Sequence, residues 1–388
     1  MVLNDVTEFV RNGASIKQEK GCKGTPITRI ETISNSRFNY DRLGYADIFD
    51  DKYQDYYLQD NDVLLSHINS EKYLGRSVVY KQRTDESIIH GMNLLCLRFL
   101  KNRYNPSYFC YYSQSDIARM YISRNTKKSV NQASITVTAI KNMPIPTTSI
   151  EEQKNVVYRL DSVQSIIDLY NEQMKKLDEL IKSRFIEMFG HIGLDEKGWG
   201  LSRLGKCCEL NPKRPKTIDD GMVISFIPMP SVSDDGQIDA GDLRLYSKVK
   251  KGYTYFEEND VLFAKITPCM ENGKGCIAKG LKNLIGSGST EFHVLRPISG
   301  VSNPQWLYAV TMQKPFRELA QRVMTGTGGQ LRVPVDFLEY FPISLPPIKL
   351  QDQFADFVTQ VEKQKATVQQ SIDKLETLKK SLMQEYFG

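Results

Sequence analysis

The sequence predicts an α+β fold in which two pseudo-twofold-related globular segments, each a small β-rich sheet with helices, are separated by two long antiparallel coiled-coil helices. The first observation behind this is a hydrophobic seam, Val156, Leu160, Val163, Ile167, Tyr170, Met174, Leu177 and Ile181, whose steps of four and three alternate throughout. The second is its recurrence: adding 198 to each number gives Phe354, Val358, Val361, Lys365, Val368, Ile372, Leu375 and Lys379, apolar except at the two lysines. The third is that the same offset holds outside the helices. Asn61-Asp62-Val63-Leu64-Leu65 maps onto Asn259-Asp260-Val261-Leu262-Phe263 (259 − 61 = 198), Gly75-Arg76 onto Gly273-Lys274, Leu97-Arg98 onto Leu295-Arg296, and Asn105-Pro106 onto Asn303-Pro304. One fold is written twice.

The expected segments are a globular unit over 1–149, a long helix over 150–190, a polar Gly-containing joint over 191–198, a second unit over 199–347 and a second helix over 348–388. A single helix with such a seam would be expected to lie on a domain core. Two matched copies instead predict a pair: the first helix, about 54 Å long if some 36 residues are helical, carries the chain to the second unit, and the second runs back antiparallel to it; the rival arrangement stacks the two units side by side. Within the first unit, alternating runs at Val63–Ile68, Arg76–Val79 and Asn93–Phe99 read as short strands. After Asn105-Pro106 the period becomes helical, with Asn as N-cap, Pro at the first helical position, and Tyr108, Tyr112, Ile117, Met120 and Tyr121 following; Trp306, Val310, Phe316, Leu319 and Val323 repeat this after Asn303-Pro304. The Pro-containing runs at 143–146 and 341–347 are expected to end extended structure and set the next helix.

A chain of 388 residues buries full cores in two domains. Seven cysteines without a two-residue gap between any pair argue against a disulfide framework or a zinc site, so we expect no metal and a reducing cytoplasmic location. No apolar run reaches the roughly 18 residues that a membrane span needs, so no membrane partner is expected. A net charge of +5 permits an anionic partner, and the basic residues gather in loop-like segments: Lys17 to Lys23, with Lys17 and Lys20 as candidate contacts, Arg124 to Lys128, and Lys213 to Lys216.

Catalysis finds no home in the residues. The four histidines are scattered, and neither a metal-binding His-Glu-x-x-His nor a Gly-x-Ser-x-Gly elbow occurs. Asn105-Pro106-Ser107-Tyr108 is close to the Asn-Pro-Pro-Tyr of adenine methyltransferases, but Asn303-Pro304-Gln305-Trp306 stands at the same place in the second unit, so a helix cap accounts for both. Gly326-Thr327-Gly328-Gly329-Gln330 lacks the Lys-Ser/Thr ending of a nucleotide loop; its donors Thr325, Thr327, Gln330 and Arg332 suit a phosphate or a base edge, although an ordinary glycine turn fits too. The counterpart in the first unit contributes Arg124, Lys127, Lys128 and Gln132. Loops at equivalent places also differ: His67, Asn69, Ser70, Arg76 and Asn93 stand in the first unit, and Lys265, Thr267, Asn272, Lys274, Ser289 and Thr290 in the second. These residue types read base donors and acceptors, so a duplicated scaffold with divergent loops suits two unlike half-sites.

The chain resembles a specificity subunit of a type I restriction-modification system. The likeness lies in the two joins, Ile145-Pro146-Thr147-Thr148-Ser149-Ile150-Glu151-Glu152-Gln153 and Leu345-Pro346-Pro347-Ile348-Lys349-Leu350-Gln351-Asp352-Gln353-Phe354-Ala355. With them go the helix endings 180–190 and 378–388, Asn259 to Phe263, Gly288 to Phe292, and Gly326 to Gln330. The first unit departs in lacking the Gly-Thr-Gly-Gly run and the double proline. The resemblance implies that each globular unit is a target recognition domain for one half of a bipartite duplex DNA site. It also implies that the helices act as spacer and as docking surface for two modification (methyltransferase) subunits. S-adenosylmethionine would then sit on the modification subunits, and ATP and magnesium on restriction subunits where the system has them; the chain itself would hold no cofactor. The rival readings are a coiled-coil scaffold whose ends bind protein, and an RNA-binding module. We expect the purified chain alone to transfer no labelled methyl group to duplex DNA and to leave plasmid DNA uncut; either activity would overturn the non-catalytic reading.

Overall fold

The computed structural model describes residues 1–16, 24–34, 36–48, 51–83, 87–129 and 132–388. It divides into two compact units: unit 1 is Met1–Asn171 with Gln370–Gly388, and unit 2 is Glu172–Gln369. Each unit thus contains a globular segment and part of both long helices, Ile150–Phe189 and Ile348–Phe387, of 40 residues each.

Unit 1 is built on a four-stranded antiparallel sheet in the order Thr7–Asn12, Leu94–Phe99, Val63–Ser66, Ser77–Val79. Unit 2 has Cys208–Leu210, Phe292–Pro297, Val261–Ala264 and Gly275–Ile277 in the same order. The register agrees to the residue, Val63 facing Leu97 and Val261 facing Leu295. The expected strands are present, and their apolar faces are buried on the helices that follow. Each repeat's central pair is tied by a buried carboxylate. Asp62 accepts from Arg98 Nε and Nη2 at 2.8 and 2.7 Å, and Asp260 from Arg296 at 2.9 and 2.7 Å. Each Asp also takes a backbone N–H, from Gln59 or Glu257, and the Asn before it has positive φ, 72° in Asn61 and 70° in Asn259.

Asn105 and Asn303 cap their helices as the sequence implies, but each expected helix is two. Pro106–Tyr112 is followed by Asp116–Arg124, and Pro304–Met312 by Lys314–Arg322. Ser115 starts the second helix of unit 1 by accepting from Ala118 N, and Pro at the second position of Lys314–Arg322 does the same for unit 2. The break turns Ile117, Met120, Leu319 and Val323 outward, at 44, 51, 43 and 41% exposure, so these apolar residues are not core. The proline runs also depart from expectation. Pro342–Ser344 is itself a strand, paired with Leu201–Arg203, and Pro144 bridges Val2; proline sits at the strand's first residue, where its missing N–H removes no ladder bond. Unit 2 carries a further sheet that the repeat did not signal, Leu243–Leu245, Val223–Ile227, Ile285–Gly288 and Thr254–Glu257. The joint 191–198 is ordered by its carboxylates, Glu196 on His191 at 3.0 Å and Asp195 on the backbone of Trp199 and Gly200.

Along the long helices, Val156, Leu160, Val163, Ile167, Leu177, Phe354, Val358, Val361, Val368 and Ile372 are buried, while Tyr170, Met174, Ile181 and Leu375 are half-buried. Within unit 1, Arg159 meets Tyr386 and Gln164 meets Lys379; within unit 2, Asp178 meets Lys365 and Phe185 meets Phe354. As one number rises the other falls, so in each unit the helix segments run antiparallel. A buried glutamine anchors each start: Gln153 Oε1 accepts from Asn105 N at 2.8 Å and Gln351 Oε1 from Asn303 N at 2.9 Å. Each end is an aromatic in a core. Phe189 packs on Phe354 and Trp199 in unit 2, and Phe387 on Tyr108 and Tyr112 in unit 1, at centroid distances of 5.0 and 5.9 Å. The first repeat's helix therefore ends in unit 2, and the second repeat's helix ends in unit 1.

Two stability predictions follow from this burial. Truncating Phe387 to alanine removes a ring only 5% exposed and should destabilise unit 1 by about 3–5 kcal/mol, read as an early thermal transition; a single unshifted transition would contradict the packing. The buried histidines predict acid sensitivity. Burial pushes the His67 imidazole down to about 4, with the Asn93 backbone opposing, and lowers His90 and His293 in the same direction. An unfolded histidine titrates near 6.5, so below that the unfolded chain binds more protons. Stability from His67 is complete above about pH 6.5 and is lost as pH falls towards 4, to a limit of roughly 3 kcal/mol. Urea midpoints measured across this range should fall, and fall less in His67→Leu; equal slopes would refute the assignment.

Candidate nucleic-acid interface

At one end of the central sheet, each unit joins three stretches into a platform. In unit 1 these are Ile68–Asn69, Ala133–Ile135 and Thr126–Lys128, a three-stranded sheet. In unit 2 the same positions meet as single bridges, Ile266 to Arg332 and Thr325 to Arg332, which are Ile68–Ser134 and Lys127–Ser134 shifted by 198 (266 − 68 = 198). The platform is bolted to the core strand by one hydrogen bond in each unit, Ile135 N to His67 O and Val333 N to Lys265 O, both 2.9 Å. Backbone geometry is thus held in common while side chains are free to differ.

In unit 2, Arg332 grips Glu291 with Nε and Nη2, both at 2.9 Å, and Lys265 N donates to Glu291 O. The Arg332 hydrogen bond, against the cost of burial, holds the Glu291 carboxyl below its ordinary value. Lys265 is half-buried, and burial lowers its ammonium, opposed by Glu291. Thr267 Oγ1 donates to Gly329 O at 2.8 Å and accepts from Leu331 N at 2.9 Å, so this hydroxyl braces the glycine loop. That loop is a tight hairpin: Gly326 has φ 143°, and a Cβ there would lie 2.4 Å from Gln330 O. Thr325, Thr327 and Gln330 stand exposed on it. Ser289 Oγ accepts from Glu291 N, Thr290 and Asn272 are exposed, and Lys274 Nζ reaches the Met229 carbonyl at 3.5 Å.

In unit 1, His67 takes the place of Lys265 and Asn93, with φ 77°, that of Glu291. His67 is only 5% exposed and its Nδ1 has no hydrogen-bond partner, so its ring belongs to the platform's interior and not to its surface. Asn69 is occupied locally, donating to Ser66 Oγ and accepting from Ser70 N, with Ser70 exposed beside it. Lys128 pairs with Glu71 at 2.9 Å and Arg76 lies over the Tyr73 ring. Arg124, at the end of the helix Asp116–Arg124, Lys127 on the strand Thr126–Lys128, and Gln132 are exposed. Lys17 and Lys20 lie outside the described residues. The structure therefore gathers most of the expected residues at one platform per unit, and sets apart His67, Thr267 and Lys274, which serve the framework.

Sequence reasoning missed Glu291 as the partner of Arg332, and Asn211, Arg214 and Tyr253, which line a cleft beside Lys265. The basic run at 213–216 was the available signal for Arg214. Among the described residues, no group of three His, Cys, Asp or Glu could hold a metal ion, and no helix is long and apolar enough to cross a membrane.

The family model of the type I restriction modification DNA specificity domain matches residues 1–179 and again 196–377. A putative type I restriction enzyme specificity subunit of Methanocaldococcus jannaschii is 38% identical over 212 residues, 53% of this chain and 49% of that protein. The EcoEI specificity subunit of Escherichia coli is 43% identical over 164 residues, 40% of this chain and 27% of its own length. The chain thus spans half or less of the length of these curated relatives. In fold it is similar to a chain from a type I R-M system, solved in work on that system's assembly and conformational transition, with TM-score 0.57 and 16% identity over 100% of this chain and 96% of that one. The type I restriction-modification S subunit from M. genitalium gives TM-score 0.52 and 11% identity, over 100% and 95%. With its match running through both repeats, the chain belongs to the type I restriction modification DNA specificity domain family.

Proposed function

We propose that this chain is the DNA-reading subunit of a type I restriction-modification complex, each unit reading one half of a bipartite duplex site. The observation that carries this is the platform itself: one shared backbone hydrogen bond, Ile135 N to His67 O and Val333 N to Lys265 O, holds it in both units, while its exposed positions carry Ser70, Lys127 and Lys128 in one and Pro268, Thr325 and Gly326 in the other. A scaffold kept to the residue while its exposed loops diverge is what reading two unlike sequences requires. The helices act as the spacer between the half-sites, and at about 1.5 Å per residue 40 residues measure roughly 60 Å.

Two modification subunits are the proposed protein partners. Supporting this, each unit has a groove on its helix segments at matched positions: Ser115, Gln164, Lys379 and Met383 in unit 1 become Gln313, Glu362, Ile181 and Phe185 in unit 2 (313 − 115 = 198; 383 − 185 = 198). Two copies of one groove suit two copies of one partner. In this reading the chain contributes no catalytic group; S-adenosylmethionine belongs to the modification subunits, and ATP and magnesium to restriction subunits where present.

The test is an exchange of residues 1–149 for the same segment of a relative, within the reconstituted modification complex. Mapping methylated bases should show one half-site changed and the other kept. A change in both halves would mean that the units read DNA jointly, and methylation that ignores the exchange would remove sequence reading from this chain.

A further inference from the structure

Beside the platform of unit 2 lies a cleft that the matched positions of the repeat do not foreshadow. It is lined by Asn211, Arg214, Tyr253, Tyr255, Lys265 and Phe292, with Pro212 and Thr254 completing the wall, and none of these side chains is acidic. Arg214 is held by its neighbours but not neutralised. Its Nη2 donates to the Tyr253 carbonyl at 3.2 Å, its guanidinium carbon lies 5.6 and 5.9 Å from the rings of Tyr246 and Tyr255, and its buried Nε has no hydrogen-bond partner. Lys265 enters from the end of the strand Val261–Ala264. Its nearest acid, Glu291, is already gripped by both Nε and Nη2 of Arg332. Asn211 is fixed by Val294 N and by the His293 ring, which turns one wall of the cleft into a rigid polar edge.

Two half-buried cations without a carboxylate between them are costly unless an anion joins them. Aromatic faces that orient a guanidinium leave its edge N–H groups directed outward, and a planar guanidinium matches the oxygens of a phosphate. We propose that this cleft seats a backbone phosphate of duplex DNA, with the Arg214 guanidinium and the Lys265 ammonium as its two cationic donors. The proposal rests on the reading of unit 2 as a DNA-reading segment and names a contact within it. It also assigns Lys265 to the phosphate, which positions the unit, and leaves base reading to the exposed hairpin with Thr327 and Gln330. Position 67 in unit 1 holds a buried histidine and position 16 an isoleucine where unit 2 has Lys265 and Arg214 (214 − 16 = 198), so among the described residues the matched positions of unit 1 do not repeat this pair.

The experiment measures affinity of the full chain for a labelled mixed-sequence duplex against salt, for the parent, Arg214→Gln/Lys265→Gln, Arg214→Lys, and Lys279→Gln, which removes an exposed lysine outside the cleft. Each lost phosphate contact lowers the slope of log affinity against log salt by about 0.9. The double variant should therefore lose nearly two units of slope, so that between about 50 and 200 mM salt its affinity falls roughly tenfold less than the parent's. Arg214→Lys keeps the charge and should keep most of the slope, which separates a phosphate contact from damage to the fold. Excess inorganic phosphate should not reproduce the loss at matched ionic strength; if it does, the cleft takes a free anion and the proposal falls. A double variant with the parent's slope would overturn the cleft while leaving the DNA-reading assignment in place, since the parent still binds. A parent chain that shows no salt-dependent retention of duplex DNA would overturn the underlying reading as well.

Discussion

The structure depends on an exchange of buried aromatic side chains. Phe189 closes the core of unit 2 although its helix begins at the first globular segment, and Phe387 closes the core of unit 1 although its helix begins at the second. Each helix is also pinned where it begins, by Gln153 or Gln351, both fully buried and bonded to the cap residue of a neighbouring helix and to a backbone carbonyl. A buried amide with its partners removed costs about 1–3 kcal/mol, and a buried phenylalanine removed costs more. A helix 40 residues long is therefore fixed at both ends and does not rely on intrinsic propensity to stay straight and whole.

Buried polar groups also account for which parts of the repeat stayed alike. Asp62 with Arg98 and Asp260 with Arg296 sit where losing one partner strands a charge in the core, a loss of about 3–5 kcal/mol. Such pairs cannot drift one residue at a time. The platform is less constrained, because the bond that ties it to the core strand in both units is between backbone atoms, Ile135 N to His67 O and Val333 N to Lys265 O. Lysine and histidine at one position, or glutamate and asparagine at another, are compatible with the same scaffold. Under the proposed function, that freedom serves the reading of two unlike half-sites.

Much of this was legible in the residues. The 198-residue offset, the strands from Val63, Ser77 and Leu94, the Asn caps and both helix boundaries are local signals, and local signals survive in sequence. What escaped depends on partners far along the chain. Pro342–Ser344 reads as a stop until Leu201–Arg203 is placed beside it, and the second sheet of unit 2 joins strands from 223 to 288 whose counterparts in unit 1 are only the short pair Thr25–Ile27 with Gly44–Ala46 and the single bridges of Ile89 to Ile27 and Tyr57. His67 reads as a polar loop residue until the strand it terminates is seen to bury it. At the site the residue types were visible, but not which of them spend their donors inward, as Thr267 does, and which face outward.

The two lysines that interrupt the second seam gain a reason from their partners. Lys365, with only 9% exposure, pairs with Asp178 at 2.8 Å and Glu362 at 3.2 Å, and the half-buried Lys379 donates to Gln164 Oε1 at 2.6 Å. An apolar seam with period 3.5 tolerates a slip of one heptad, since every knob finds a similar hole. Such a slip moves one helix about 10.5 Å along the other and would put Asp178 out of reach of Lys365. Glu362 travels with Lys365 on the same helix, so the slip removes one of the two carboxylates and leaves a partly buried lysine with a weaker set of partners. The apolar residues thus bring the helix segments together, and the lysines select one register from the several that hydrophobic contact alone would accept.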